Sequence, residues 1–222
     1  MKQLVLLPLA LAFTANAAMA ANSADLRVTG TITPASCSIA MSGNTFDLGT
    51  LDAGKLTEPN RNPLPRTAPG TLTIQCDAPT QVAFKTHDNR RASIPTTLAS
   101  TVFYYGLGFD AKNAPIGCYA LVVLTPSIRV DGQEGNIKWS TTEGANWGIN
   151  SINGLDNLSP YSEINEIYSL DAASNPNHLP PTPATSMSMD IAVDAYIEAV
   201  DTLDTTQEIA IDGSTTIELI YL

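Results

Sequence analysis

The sequence has few of the residues that build catalytic or metal-binding sites. Only two histidines, His87 and His178, occur in 222 residues, and each lies in a polar stretch. Neither has a cysteine, a second histidine or paired carboxylates at the spacing of a metal-ligand set. The chain also lacks a Gly-x-Ser-x-Gly motif and a glycine-rich phosphate loop. We therefore expect no cofactor, no bound metal and no enzymatic activity.

Basic residues are scarce as well, with 11 Lys and Arg against 22 Asp and Glu and a formal net charge of −11. A field of this sign repels phosphate backbones and anionic lipid, which argues against nucleic acid as a partner. The apolar run over residues 4–13 is too short to span a bilayer as a helix, and no later stretch is apolar enough to do so, so we expect no membrane insertion.

The first residues have the order of a secretory signal peptide. Lys2 precedes an apolar run over residues 4–13, and Ala18-Met19-Ala20 has the small-x-small pattern of a cleavage site. We therefore expect residues 1–20 to be a signal peptide and residues 21–222 to form a single secreted domain.

Three cysteines, Cys37, Cys76 and Cys118, belong to a chain addressed to an oxidising compartment, so at least one disulfide is expected. Three pairings are open, and spacing does not choose among them. A Cys37–Cys76 bond would contribute about 4 kcal/mol on the loop-entropy model.

Apolar residues alternate with polar ones in many short segments, which predicts an all-β sandwich or barrel. The first of these segments contains Leu26, Val28 and Ile32. Further strands are predicted over residues 71–76, 81–86, 101–109, 117–124 (ended by Pro126) and 187–197. Residues 136–158 are polar and rich in Gly and Asn.

The last residues predict a terminal strand with an edge that something must cover. Ile217, Leu219 and Tyr221 share one face of an extended chain, and Ile209 and Ile211 predict a strand just before it. An uncovered apolar strand would be a site of unwanted pairing.

These features together resemble the pilin subunits of chaperone-usher fimbriae, and within them a little-characterised family of fimbrial-like proteins. The resemblance spans most of the chain after the signal peptide and rests on the order of several short motifs. They are Gly30 seven residues before Cys37, Cys76 at a strand end, Tyr105-Gly106-Leu107-Gly108, Pro115-Ile116-Gly117-x-Tyr119, Ile211-Asp212-Gly213 and the penultimate Tyr221.

The resemblance implies an immunoglobulin-like, pilin-type β-sandwich that lacks its last strand, with Cys37 bonded to Cys76. Cys118 has no counterpart in the pilin pair, and its place in a β-prone run predicts a buried thiol. A periplasmic chaperone, and then the N-terminal extension of a neighbouring subunit, would supply the missing strand by β-strand addition. The implied partners also include the outer-membrane usher, and the implied location is a cell-surface fimbrium reached through the periplasm.

The resemblance also implies roles for residues at both ends of the chain. Ile217, Leu219, Tyr221 and Leu222 would contact the chaperone or the donated strand. The residues Leu26, Val28 and Ile32 would form either the donated segment or the first strand of the domain, and both readings stay open.

A second function hypothesis is a secreted binding module or adhesin that recognises a glycan. Aromatic rings stack on sugars, and Trp139, Trp147, Tyr161 and Tyr168 lie in the polar middle third of the chain. We favour packing roles for these rings because only two are tryptophans and they follow no pattern.

Overall fold

The structure, a computed structural model, describes residues 25–32, 35–57, 59–98, 100–149, 155–160, 164–176 and 178–222. Ala35–Leu222 form one compact unit, and residues 25–32 belong to another. The predicted signal peptide lies outside the described residues. No helix in the described part of the chain is long and apolar enough to cross a membrane.

The described residues are nearly all β, as the alternation predicts. The eleven strands are β1 Cys37–Ser42, β2 Arg61–Pro63, β3 Gly70–Thr80, β4 Val82–Asp88, β5 Tyr105–Gly106, β6 Gly117–Val130, β7 Gln133–Ser140, β8 Leu155–Leu158, β9 Ile167–Ala172, β10 Ala184–Glu198 and β11 Thr215–Tyr221. Single turns of 3-10 helix lie at Ala53–Lys55, Arg91–Ser93 and Val200–Thr202.

The main strands are hydrogen-bonded in the order β1-β3-β10-β6-β7-β9-β4-β11, and each of these pairings is antiparallel. Apolar side chains from both halves of this order, such as Ile74 and Met189 on one side and Phe84 and Leu170 on the other, belong to one buried cluster. The sheet therefore folds over on a single core and is nearly closed, with β1 and β11 as its two ends.

Strand β6 continues past Pro126, where the sequence predicted its end. Leu124 is opposite Asp190, but the next pair along is Arg129 with Ser188, so a bulge takes up the residues between. A bulge leaves residues out of the ladder, which is how a strand accommodates a proline that has no N–H to donate.

Three other predicted strands are wrong in part. Residues 26–32 form no strand, and Leu26, Val28 and Ile32 are 90%, 89% and 98% exposed. Within residues 101–109 only β5 is a strand, and Ile209 and Ile211 lie in an irregular segment before β11. In each case the apolar alternation is present, but no neighbouring described strand completes a ladder with it.

The structure joins Cys37 to Cys76, at the start of β1 and within β3. The same register continues beyond the disulfide, because the Asp77 N–H donates to the Ser36 carbonyl at 3.0 Å and the Ser36 N–H donates to Asp77 Oδ1 at 2.8 Å. The start of β1 is therefore fixed to β3 by one covalent bond and two hydrogen bonds.

A buried ion pair between β7 and β9 also holds the loop that follows β9. Lys138 Nζ on β7 lies 2.7 Å from Asp171 Oδ2 on β9, and both side chains are fully buried. The ammonium also donates to the carbonyls of Pro176 and Leu179, each at 2.9 Å. Burial raises the pKa of Asp171, but the bonds from Lys138 and Thr182 outweigh it and hold that pKa below its ordinary value.

Removing the disulfide by the double change Cys37→Ser and Cys76→Ser should lower the free energy of unfolding by about 2–5 kcal/mol, because the unfolded chain loses a closed loop. Urea titration followed by circular dichroism measures the loss. Cys118→Ala, which removes the buried free thiol, is the control and should cost about 1 kcal/mol. An equal or larger loss in the control would contradict the structural role of the pair.

Lys138→Met should lower the free energy of unfolding by about 3–5 kcal/mol at neutral pH, because it leaves the Asp171 carboxylate buried without its cation. The wild-type contribution is present above the ordinary Asp pKa and is lost as the pH falls through the depressed folded value. In the variant the pKa of Asp171 rises, so the difference from wild type should shrink when unfolding is repeated in acid.

The matched control is Lys112→Met, since the Lys112 side chain is 72% exposed and lies 3.3 Å from Asp204 Oδ1. It should cost at most about 1 kcal/mol. Equal losses in the two variants, or a Lys138→Met deficit that grows in acid, would contradict the role given to the buried pair.

Candidate strand-binding groove between β1 and β11

Strand β1 turns one row of backbone groups away from its neighbour. The Asp77 N–H donates to the Ser36 carbonyl, so the backbone N–H and C=O groups of the even-numbered residues of β1 point toward β3. Because these groups alternate in direction along a strand, those of the odd-numbered residues point away from β3. The outward row consists of Cys37, Ile39 and Met41. No described strand pairs with β1 on that side.

Strand β11 presents a matching row. The Asn89 N–H donates to the Ser214 carbonyl at 3.0 Å, and the Leu222 N–H donates to the Gln81 carbonyl at 3.2 Å. The backbone groups of the even-numbered residues of β11 therefore point toward β4. Those of the odd-numbered residues point away from β4, and these residues are Thr215, Ile217, Leu219 and Tyr221. Among the described strands, β4 alone pairs with β11.

An apolar groove with a cavity volume of about 1380 Å³ lies along these two edges. Its floor is the buried core, and its walls come from β1 and the segment after it on one side and from β11 and the segment before it on the other. The floor contains Leu72, Leu107, Tyr119, Leu121, Ile191, Val193 and Ile197, and the walls contain Ile39, Met41, Phe46, Leu48, Leu51, Leu56, Ile209, Ile211 and Ile217.

The apolar side chains around this groove are only partly buried. In the described part of the chain, fourteen partly buried apolar residues pack against the main core, and ten of them line the groove. Each of the ten keeps a minor part of its surface exposed. Since full burial of such a side chain contributes about 1.5–3 kcal/mol, covering that part would contribute roughly 0.5 kcal/mol, and ten such contributions are of the order of 5 kcal/mol.

At the end where the disulfide lies, the groove is no wider than a tyrosine side chain and its hydrogen bond can span. The Cys37 N–H donates to the Tyr221 hydroxyl at 2.8 Å, so a side chain from the end of β11 crosses to the start of β1. Two strands on either side of a missing one are separated by twice the interstrand spacing, roughly 9–10 Å. A tyrosine side chain with its hydrogen bond covers about that distance.

Polar contacts hold β11 in place at the opposite end of the groove. The Tyr119 and Thr215 hydroxyls are 2.6 Å apart, and burial raises the pKa of Tyr119, so it stays a neutral hydrogen-bonding group. Arg90 Nε donates to the Asp212 carbonyl at 3.1 Å and to its carboxylate at 2.9 Å. The entrance to β11 is thereby tied to the loop after β4.

Some of the residues predicted to meet a partner are brought to the groove. Ile217 lines it, and Leu219 packs against the core on the same face of β11. Tyr221 reaches Cys37 across its end. Leu222 pairs with Gln81 through its N–H and is 45% exposed.

Phe46, Leu48, Leu51 and Leu56 are functional candidates that the sequence analysis did not identify. They follow β1 in a segment without strand structure and form a large part of one wall. Phe46 and Leu48 do alternate, so the signal is present, but it predicts a strand and not a groove wall.

Cys118 and the described members of the predicted aromatic set, Trp139, Trp147 and Tyr168, are buried or partly buried. Cys118 is fully buried, and burial raises the pKa of its thiol to about 12, which keeps it protonated and unreactive. Trp147 and Tyr168 are buried in the core and Trp139 is partly buried, which leaves their faces unsuited to sugar stacking. Tyr161 lies outside the described residues.

In the described part of the chain no group of three or more His, Cys, Asp or Glu side chains is placed to hold a metal ion. The predicted histidines have ordinary surroundings. His87 Nε2 lies 3.0 Å from a Glu218 carboxylate oxygen, and His178 is exposed.

The described residues thus define an all-β protein with one disulfide, a nearly closed sheet and an apolar groove along the two sheet ends. A family model described as "Protein of unknown function (DUF1120)" matches residues 26–104. This range includes both bonded cysteines and strands β1 to β4. Protein GltF of Escherichia coli (strain K12) is similar to the chain, with 26% identity over 255 residues that cover 96% of this chain and 94% of GltF.

Proposed function

We propose that this chain is a structural or minor subunit of a chaperone-usher fimbria, assembled by donor-strand complementation and contributing to surface adhesion. The observation that carries the proposal is the one-strand gap between β1 and β11. Its two edges offer rows of backbone donors and acceptors, and its floor is apolar. An added strand needs both, since main-chain hydrogen bonds supply affinity and alternate side chains supply register.

The energy available in the groove comes from its apolar side chains and from its backbone edges. Covering the partly exposed side chains contributes on the order of 5 kcal/mol, while the loss of free translation and rotation alone costs an estimated 4–15 kcal/mol. The apolar term offsets only part of this cost, so the backbone ladder must supply the rest. Each net hydrogen bond contributes about 0.5–1.5 kcal/mol, and the groove offers several.

The N-terminal segment has the pattern of the strand that this subunit would donate to a neighbour. Leu26, Val28 and Ile32 alternate with polar residues and are almost fully exposed. Of the two roles left open by the sequence, we therefore assign this segment the donated strand. In this proposal the other partners are a periplasmic chaperone and the outer-membrane usher, and the assembled subunit reaches the cell-surface fimbrium through the periplasm.

The test is co-purification of the chain with a co-expressed periplasmic chaperone of this class. Ile217→Arg places a charge on the groove wall and should abolish the complex, because a cation buried without a partner costs several kcal/mol. Thr216→Arg is the matched control. Thr216 is the preceding residue on the same strand and is exposed, so its variant should retain the complex.

The disulfide content and yield of each variant show whether it has folded. A wild-type chain that accumulates in the periplasm as a stable monomer and never binds the chaperone would contradict the proposal. Retention of the complex by the folded Ile217→Arg variant would contradict the assignment of this groove as the binding site.

A further inference from the structure

At the disulfide end of the groove, a side chain from β11 reaches across to β1. At the disulfide end, the Tyr221 hydroxyl accepts the Cys37 N–H at 2.8 Å and lies 3.5 Å from the Cys37 carbonyl oxygen. A hydroxyl both accepts and donates. It can therefore serve the two backbone groups of Cys37 that one residue of an added strand would otherwise pair with.

Both partners in this contact are held in position. Cys37 is bonded to Cys76 on β3, and β11 is paired with β4 as far as Leu222, whose N–H donates to the Gln81 carbonyl. The hydroxyl therefore bridges two fixed strand ends.

The contact also sets the register across the groove. The end of β11 meets the start of β1, so the two strands run in opposite directions. With Tyr221 level with Cys37, Leu219 is level with Ile39, and Ile217 is level with Met41. An added strand that pairs with both edges can place about five residues between the levels of Thr215 and Leu219. Two further residues would bring that strand to the level of Cys37.

We propose that the Tyr221 hydroxyl takes the place of one residue of the added strand and fixes the point at which that strand stops, one ladder position before Cys37. This inference rests on the proposed function, because it concerns the strand that the groove receives. Tyr221 is then a positioning residue that limits the length and register of the partner segment.

The first test uses the free protein and needs no partner. Amide hydrogen exchange, followed by NMR, should show the Cys37 N–H protected in wild type and exchanging at least about tenfold faster in Tyr221→Phe, since one hydrogen bond of about 1.4 kcal/mol is a factor of ten. Tyr221 is 53% exposed at a strand end, so the variant should fold. Tyr104→Phe is the control, because the Tyr104 hydroxyl makes no hydrogen bond to the described part of the chain. It should leave the Cys37 N–H protected, and unchanged exchange in Tyr221→Phe would overturn the proposal.

The second test uses two synthetic peptides of alternating Val and Thr with a terminal Lys at each end, one with five and one with seven alternating residues. In wild type the longer peptide should bind no more than about twofold tighter than the shorter one. In Tyr221→Ala, which vacates the last ladder position, it should bind about tenfold tighter, as expected for one or two added ladder bonds. A tenfold preference for the longer peptide in wild type would overturn the proposal.

The two tests separate this inference from the proposed function. If neither peptide binds the wild-type protein, strand addition is contradicted and so is the role of Tyr221 in ending the added strand. The exchange rate of the Cys37 N–H then still shows whether the Tyr221 hydroxyl is bonded to it. If both peptides bind with equal length dependence in wild type and Tyr221→Ala, the groove receives a strand and Tyr221 does not set its end.

Discussion

The spacing between β1 and β11 is the constraint on which the rest of the structure depends. Each of these strands is fixed on its far side, β1 to β3 by the Cys37–Cys76 bond and the Ser36–Asp77 contacts, and β11 to β4 along its whole length. Neither strand is therefore free to move across and close the sheet. At the disulfide end the remaining distance is no more than one further strand needs, and there the Tyr221 side chain spans it.

The same constraint explains where the core is incomplete. Residues on central strands, such as Ile74 on β3 and Val123 on β6, are buried because strands lie on both sides of them. Ile39 and Ile217 have equivalent apolar side chains but are only partly buried, because each lies on a strand that has one neighbour among the described strands. The sequence thus has the apolar alternation of a buried strand, but full burial of these two side chains would need a second neighbouring strand.

Much of the fold was predictable from alternation alone, and the failures have physical causes. β10 and β11 carry strict period-two patterns and were predicted, as was the all-β class. β7 and β9 were missed because they contain the polar residues Lys138, Ser169 and Asp171, which are nevertheless buried. Lys138 and Asp171 form an ion pair with each other, and the Ser169 hydroxyl donates to the Val82 carbonyl. Residues 26–32 failed in the opposite way, since their alternation is clear but the described chain gives them no partner strand.

The groove itself could not be predicted as a site from local sequence. Its walls combine residues that are far apart in the chain, such as Phe46 and Ile211, and its floor belongs to strands that read as ordinary core. What the sequence does contain is an apolar terminal strand whose exposed edge needs a cover. The free energy of covering the groove, of the order of 5 kcal/mol, is comparable to the lower end of the typical stability of a domain, about 5–15 kcal/mol. Under the proposed function, the stability of the assembled subunit depends on the strand that fills the gap, and the sequence of this chain contains only one side of that interaction.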